Sequence, residues 1–418
     1  MMMFLQYAIW GAWLPLFFPY LLNHHGLPVG QVGNLIAIGA LGALFAPFIA
    51  GQIADRWFNT ERFLGISHIL GGVLVWFMAS AETFQSLAAL SLLYGLIYAP
   101  TLPLTNSLAF HHLSDRDREF GKVRVWGTIG WICVGIGIGQ WLLRVHSTGD
   151  TPEQIDAARY AGMADALRLS GILGVVMGLF CFTLPATPPQ PGRKRFAPTA
   201  ALSHVFKNPM RNPLFWLFVI SFPMSCVHQF YFVHTAEFLN KLDLPDTSFI
   251  NTIFGVGGGG LMTIGQMAEI AVLVLMPLVA KRIPRKTLLA AGLCAYILRF
   301  VVFAYLPHAW AVIPALALHG FCFGCFFFIA FMIVDEENSP DVRASAQGLY
   351  NLVVVGVGII VGSWFAGQVG QAATPAEGAP MDYRFLFGIP IWITVACLAA
   401  LLLLYPQKRS APFVDATD

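Results

Sequence analysis

Twelve apolar segments, each about as long as a membrane-spanning helix, constrain this chain more than any other feature of its sequence. A helix needs roughly 20 apolar residues to cross the hydrocarbon core of a bilayer. Charged residues make up only 11% of the chain, whereas soluble domains carry about 25%. The sequence therefore predicts an all-α polytopic membrane protein. The segments cover residues 3–23, 31–53, 62–81, 84–106, 122–144, 165–184, 212–238, 247–279, 286–305, 309–333, 344–369 and 384–405.

Several functional classes are not expected from this sequence. The net charge of +2 gives no reason to expect nucleic acid as a partner. Cys322 and Cys325 form a C-x-x-C, but it lies inside an apolar run without further metal-ligating residues. Motifs typical of hydrolases, zinc proteases or phosphate-binding loops do not occur in a suitable context. We therefore expect neither an enzyme nor a metal site nor an organic cofactor.

The distribution of basic residues predicts both the division of the chain and its orientation. A proline-rich and basic segment, 186–212, separates a first half, 1–185, from a second half, 213–418. Loops on the side of the termini hold seventeen Lys and Arg residues, and those on the other side hold five. The positive-inside rule then places both termini in the cytoplasm.

Two bundles of six helices joined by a basic loop are typical of major facilitator transporters. The loop between the second and third segments supports this fold, because Gly51-Gln-Ile-Ala-Asp55-Arg56 resembles the G-x-x-x-D-R signature of that superfamily. Asp55 and Arg56 are therefore predicted to have a gating or structural role.

Polar residues within the apolar segments are the candidates for a functional site, because charges inside a membrane are costly and rare without a purpose. Arg124, Thr128 and Trp131 share one helical face in the fifth segment. Gln266 and Glu269 share a face in the eighth. Three interpretations of Glu269 remain open: a static salt bridge with Arg124, a contact with a polar substrate, or a proton carrier.

Other polar and glycine residues have two interpretations each. Asn106, after the prolines of the fourth segment, either satisfies freed backbone groups or also faces the cavity. The glycines 255–260 indicate either close helix packing or a bend beside a substrate. Arg299 is predicted to be structural and to pair with the acids 335–337. Asp335, Glu336 and Arg343 are predicted to form a gate network.

Six stretches of the sequence resemble the nucleoside:proton symporter family of the major facilitator superfamily. The most specific are Arg124-Val-Trp-Gly-Thr-Ile-Gly-Trp131 and Arg343-Ala-Ser-Ala-Gln-Gly348. The resemblance extends over both halves, and the other stretches begin at Gln6, Tyr98, Gln266 and Tyr296. It implies a carrier in a bacterial inner membrane, working as a monomer, that imports nucleosides with protons by alternating access.

The resemblance also implies which residues bind the nucleoside. Glu269 would be the proton-coupling residue as well as a ligand. With Asn106 added from the analysis above, the predicted substrate-binding residues are Arg124, Thr128, Trp131, Gln229, Phe232, Gln266, Glu269, His319, Phe323 and Asn106.

One departure from the family pattern leaves alternatives open. Members usually carry an aspartate after the aromatic residue of the tenth segment, where this chain has Gly324. The alternatives are a carrier of another small polar solute such as a sugar or nucleobase, an uncoupled carrier, or a membrane nucleoside receptor without transport.

Overall fold

The computed structural model describes residues 1–46, 58–113, 116–189, 202–203, 205–245, 247–338, 342–376 and 379–406. Within them, eleven helices have the length and hydropathy of a membrane span. The first helix, Met2–Pro19, continues as a π-helix to His24 and is the twelfth. Each predicted segment thus contains a long helix, and the prediction of an all-α polytopic membrane protein is confirmed.

We number the long helices α1 to α12. A short helix, Pro152–Gly162, precedes α6. The bounds are α1 Met2–Pro19, α2 Val29–Ala46, α3 Thr60–Met78, α4 Phe84–Tyr98 and Thr101–His112, α5 Arg116–Val145, α6 Ala164–Cys181, α7 Pro213–Asn240, α8 Phe249–Phe254 and Gly259–Val279, α9 Arg285–Tyr305, α10 Ala309–Glu336, α11 Arg343–Asn351, Leu352–Val357 and Gly358–Ala372, and α12 Tyr383–Leu404.

Glycines allow the two halves to approach each other closely. Helix α2 packs on α11, α5 on α8 and α1 on α7. At the α2–α11 contact, a methyl group added to Gly33 would lie 2.5 Å from the Cα of Gly367. Small residues of this kind are the usual contact surface between membrane helices, because packing rather than the hydrophobic effect holds such helices together.

The glycine-rich segment of α8 both breaks the helix and packs closely. Gly255, Gly257 and Gly258 have φ angles of 72°, 89° and 76°, which L-residues rarely adopt. A Cβ on Gly255 would overlap the backbone of Gly139 in α5. The break ends where the second part of α8 begins, so Gln266 and Glu269 lie in regular helix. The glycines therefore serve both close helix packing and a bend, as the two interpretations proposed. The bend does not extend to Gln266 and Glu269.

The two halves are also joined by a buried acid. Because successive long helices run in opposite directions, the start of α1 and the end of α12 lie at one face of the bundle, the terminal face. Near the opposite face, Asn23 of the first half donates a 3.0 Å hydrogen bond to the Glu237 carboxylate of α7. The Tyr160 hydroxyl donates to the same oxygen over 3.3 Å. Together with the glycine contacts, these bonds hold the halves together at the opposite face.

Candidate functional site

The first-half residues of the predicted site lie on α5 where it faces the second half. The guanidinium of Arg124 lies 4.0 Å from the centre of the Tyr7 ring, so a residue of α1 supports it through a cation–π contact. Thr128 follows one turn later and is half-buried. The ring of Trp131 contacts Phe232 of α7 at a centroid distance of 6.3 Å, which brings an aromatic residue of each half together.

The second-half residues centre on α8. Gln266 is buried, and its Oε1 has no hydrogen-bond partner in the described part of the chain. One turn later, the Glu269 side chain is 15% exposed and its Oε2 lies 3.6 Å from Nε2 of His319. A buried amide oxygen without a partner is costly, so this position is suited to a ligand that donates a hydrogen bond.

Arg124 and Glu269, both in the described part of the chain, do not form an ion pair with each other. The guanidinium nitrogens of Arg124 and the carboxylate oxygens of Glu269 are therefore more than 4.0 Å apart. The interpretation of a closed static salt bridge is therefore not supported.

Helices α7 and α10 add an aromatic wall to the site. His319 is stacked with Tyr231 at 4.7 Å and meets Phe232 edge-on at 5.9 Å. Phe323 is half-buried and contacts Phe327 at 6.3 Å. Both Phe323 and Phe327 lie in the π-helical turn Cys322–Phe328, a local widening that is frequent at functional sites.

The remaining predicted residues lie beside this wall or on α4. Gln229 is buried and accepts a 3.5 Å hydrogen bond from Ser363 of α11. The Oδ1 atom of Asn106 is buried without a partner among the described residues. The carbonyl of Tyr98 accepts a hydrogen bond from the Thr101 hydroxyl. Thr101 thus satisfies a backbone carbonyl beside the break in α4, and Asn106 is not needed for that carbonyl.

The predicted partner of Arg299 was wrong. Its guanidinium is fully buried and lies 3.1 Å from Nδ1 of His319, not beside the acids at the end of α10. Those acids pair with other cations: Glu336 with Arg285 at 2.6 Å and Asp335 with Arg343 at 3.5 Å. Both pairs stay within the second half, so they fasten α10 to α9 and α11.

Two further predicted residues cannot be placed. Asp55 and Arg56, for which we predicted a gating or structural role, lie outside the described residues.

Gly324 does not leave an open space where the family pattern has an acid. A Cβ at this position would lie 2.5 Å from Cγ1 of Val272 in α8. The glycine therefore permits close contact between α8 and α10. A longer side chain needs a rearrangement of this contact.

Sequence reasoning assigned no site role to four residues of the site and its surroundings. Tyr7 supports Arg124, Tyr296 donates to or accepts from His228 over 2.5 Å, and Glu237 joins the halves. The ring of His228 is stacked with that of His319 at 5.4 Å. His228 and Glu237 could have been singled out as polar residues inside the apolar run of α7. Tyr7 and Tyr296 carried no comparable signal.

Comparisons with known proteins agree with this architecture. The family model described as "Nucleoside H+ symporter" matches residues 1–410. The putative nucleoside transporter YegT of Escherichia coli (strain K12) is 29% identical, over 97% of this chain and 92% of that protein. The nucleoside permease NupG of the same strain is 27% identical, over 97% and 94%.

Solved structures agree in fold. The crystal structure of the nucleoside transporter NupG superposes with a TM-score of 0.81 at 24% identity, covering 97% of this chain and 98% of that chain. An inward-facing bacterial homologue of the human lysosomal transporter Spinster gives 0.66 at 17% identity, covering 97% and 93%. These likenesses support the major facilitator fold. Because the family model spans nearly the whole sequence, the chain belongs to the nucleoside H+ symporter family.

Proposed function

We propose that this transporter binds a nucleoside between its two halves, at the residues of α5, α7, α8 and α10 described above, and that Glu269 carries the coupling proton. Membership of the family makes the chain a secondary transporter, rather than an enzyme, that imports nucleosides together with protons by alternating access. The observation that carries the site assignment is the separation of Arg124 from Glu269. These two opposite charges come from different halves, and their charged atoms are more than 4.0 Å apart. A polar group of the substrate would bridge them.

The chemistry of these side chains suits a nucleoside. Ribose hydroxyls can donate to the Glu269 carboxylate and to the partnerless Oε1 of Gln266, and they can accept from Arg124. The flat base can stack on the face of Trp131 or of Phe232, which meet edge-on where the two halves face each other. Gln229 is the residue to which we assign the hydrogen bonds with the edge of the base. Thr128, Asn106, His319 and Phe323 complete the proposed site.

Glu269 is suited to proton coupling because its charge lacks an ion-pair partner in contact. A carboxylate taken out of water requires compensation by a nearby cation or by hydrogen bonds. Protonation of Glu269 removes this requirement and weakens the attraction to Arg124. We propose that the transporter, with nucleoside and proton bound, then changes to the conformation that is open to the other side of the membrane. The membrane potential contributes roughly 2.3 kcal/mol per charge for each 100 mV, enough to concentrate a neutral solute that travels with one proton.

The organisation of the transporter follows from this proposal. The halves 1–185 and 213–418 move relative to each other, joined by the segment 186–212. The multi-pass protein lies in a bacterial inner membrane as a functional monomer, with the terminal face in the cytoplasm. In this orientation, the face closed by Glu237 and the glycine contacts is the periplasmic one.

Glu269→Gln tests the coupling role. Glutamine retains the size of the side chain but cannot exchange a proton. We therefore expect proton-driven accumulation of labelled nucleoside to disappear in proteoliposomes, while counterflow exchange persists. Glu153→Gln, at an exposed acid outside the site, is the control and should accumulate like the wild type. Uphill uptake by Glu269→Gln would show that another group couples the proton.

A further inference from the structure

The contact between Arg299 and His319 determines which nitrogen of the imidazole carries a proton. An arginine guanidinium has only hydrogen-bond donors and does not lose its charge in proteins. Nδ1 of His319, 3.1 Å from Nη1 of Arg299, must therefore be the acceptor and cannot carry a hydrogen. A neutral imidazole has its one hydrogen on the other nitrogen, so Nε2 is a donor.

The donor nitrogen points at the proposed coupling residue. Nε2 of His319 lies 3.6 Å from Oε2 of Glu269, slightly beyond hydrogen-bond distance. Gly265 on α8 makes this approach possible, because a Cβ there would lie 2.8 Å from Cβ of His319. A small movement of α10 toward α8 closes the hydrogen bond. A substrate hydroxyl placed between the two groups can bridge them instead.

The surroundings hold Arg299 in place. Its side chain is fully buried, and its guanidinium lies 4.2 Å from the centre of the Tyr231 ring and 5.0 Å from that of Tyr296. Tyr231 is also stacked with the His319 ring, so one aromatic residue supports both members of the pair. The Arg299 side chain therefore has no contact with solvent, and the surrounding aromatic rings hold its guanidinium beside the imidazole.

We infer that Arg299 is a positioning residue that keeps His319 neutral, with its hydrogen on Nε2 facing Glu269, so that His319 donates to Glu269 or to the substrate and cannot take up the coupling proton itself. A second proton on His319 would have to bind at Nδ1, against the N–H of Arg299 and beside its positive charge. The proton is thereby confined to Glu269. This inference rests on the role proposed for Glu269.

Any test has to distinguish the protonation of His319 from that of the other ionisable groups near it. Helix α7 contributes His228 and Tyr231, α8 contributes Glu269, and α9 contributes Tyr296 besides Arg299. Cys322 lies on α10 itself, and Arg124 of α5 acts on Glu269 from the first half. Among the described residues in this set, His228 is the other imidazole and therefore the necessary control.

Arg299→Met removes the donor and the charge while retaining an apolar side chain of similar length. We expect the pH profile of counterflow exchange to acquire a new limb on the acid side, because His319 can then bind a second proton and pair with Glu269. Adding His319→Gln should remove this limb, and adding His228→Gln should leave it. Arg299→Lys, which retains a charged donor, should restore the wild-type profile. An unchanged profile in Arg299→Met, or a limb that survives His319→Gln, would overturn the inference.

A measurement on the unaltered pair keeps the inference testable even if Arg299→Met does not fold. Nitrogen NMR of the [15N]histidine-labelled wild type reports the protonation of each ring nitrogen, and subtraction of the His319→Gln spectrum identifies His319. We expect hydrogen on Nε2 alone, including in mildly acid solution. Hydrogen on Nδ1 would refute the inference. This readout does not involve transport, so it is independent of the Glu269→Gln result.

Discussion

At the face opposite the termini, hydrogen bonds from Asn23 and Tyr160 to Glu237 join the two halves. Removal of the Glu237 carboxylate should therefore open this face. The side chain is only 4% exposed, and its two bonds to the first half measure 3.0 and 3.3 Å. A hydrogen bond to a charged group contributes about 1.5–3 kcal/mol, and the longer Tyr160 bond lies at the weak end. The third partner, Lys241, follows the same helix and is half-exposed. Its own contact with the first half is a weak 3.4 Å hydrogen bond to the Tyr160 hydroxyl, so it contributes little to closure. We therefore estimate that Glu237→Ala destabilises the closed face by about 2–4 kcal/mol, which corresponds to a roughly 30- to 700-fold shift in the equilibrium.

Distance measurements between spin labels on the two halves test this estimate. Labels at the exposed residues Glu153 and Thr247 lie on opposite sides of the closed face. The two exposed cysteines, Cys133 and Cys294, are first replaced by serine. We expect a single short distance in this background and a second, longer population in Glu237→Ala.

Asp243→Ala is the control, because it removes an exposed carboxylate just after α7 that is not part of the bonds between the halves. Its distance distribution should resemble that of the parent protein. Glu237→Gln should lie between the two, since an amide oxygen still accepts from Asn23 but carries no charge. If Glu237→Ala shows the same distribution as Asp243→Ala, the bonds of Glu237 between the halves do not hold this face closed.

Two further predictions concern the site and its packing. Trp131→Ala removes the proposed stacking surface and should weaken nucleoside binding by about 1–3 kcal/mol, with Trp131→Phe retaining most of the affinity; titration calorimetry measures both. Gly324→Asp should lower thermal stability, because the new side chain meets Val272. Adding Val272→Ala in the same chain should recover much of the loss. Thermal melting of the detergent-solubilised variants measures both effects, and equal stability of Gly324→Asp and the wild type would contradict the prediction.

The parts of the structure that could be predicted from sequence depend on local spacing. The length and polarity of each apolar run determine whether a helix can cross a bilayer, so a long helix was expected in each of the twelve segments. The shared face of Gln266 and Glu269 follows directly from helical periodicity. Selection of Arg124 needed only the cost of a charge in a membrane.

The partner of a buried group could not be predicted in the same way, because it depends on how close two helices come. Arg299 was assigned to the acids after α10 on the grounds of charge alone. Its actual contact, His319, is an uncharged ring that reaches α8 because Gly265 has no side chain. Likewise, the break in α8 was visible in its glycines. Its position relative to Glu269 depended on the close contact with Gly139.

The distribution of contacts between the halves determines which bonds must break when the transporter changes from one open conformation to the other. At the terminal face, the pairs Arg285–Glu336 and Arg343–Asp335 connect helices of one half, so they can move with that half unbroken. At the opposite face, the contacts cross between the halves, but many involve glycine backbones that separate without unlocking interdigitated side chains. The polar bonds lost on opening there include the two of Glu237, the bond from the Gly30 N–H to Gln371, and those from the Gln140 amide to the carbonyls of Asn251 and Thr252. A cost of a few kcal/mol is comparable with the free energy that a bound substrate and one proton can supply, which alternating access requires.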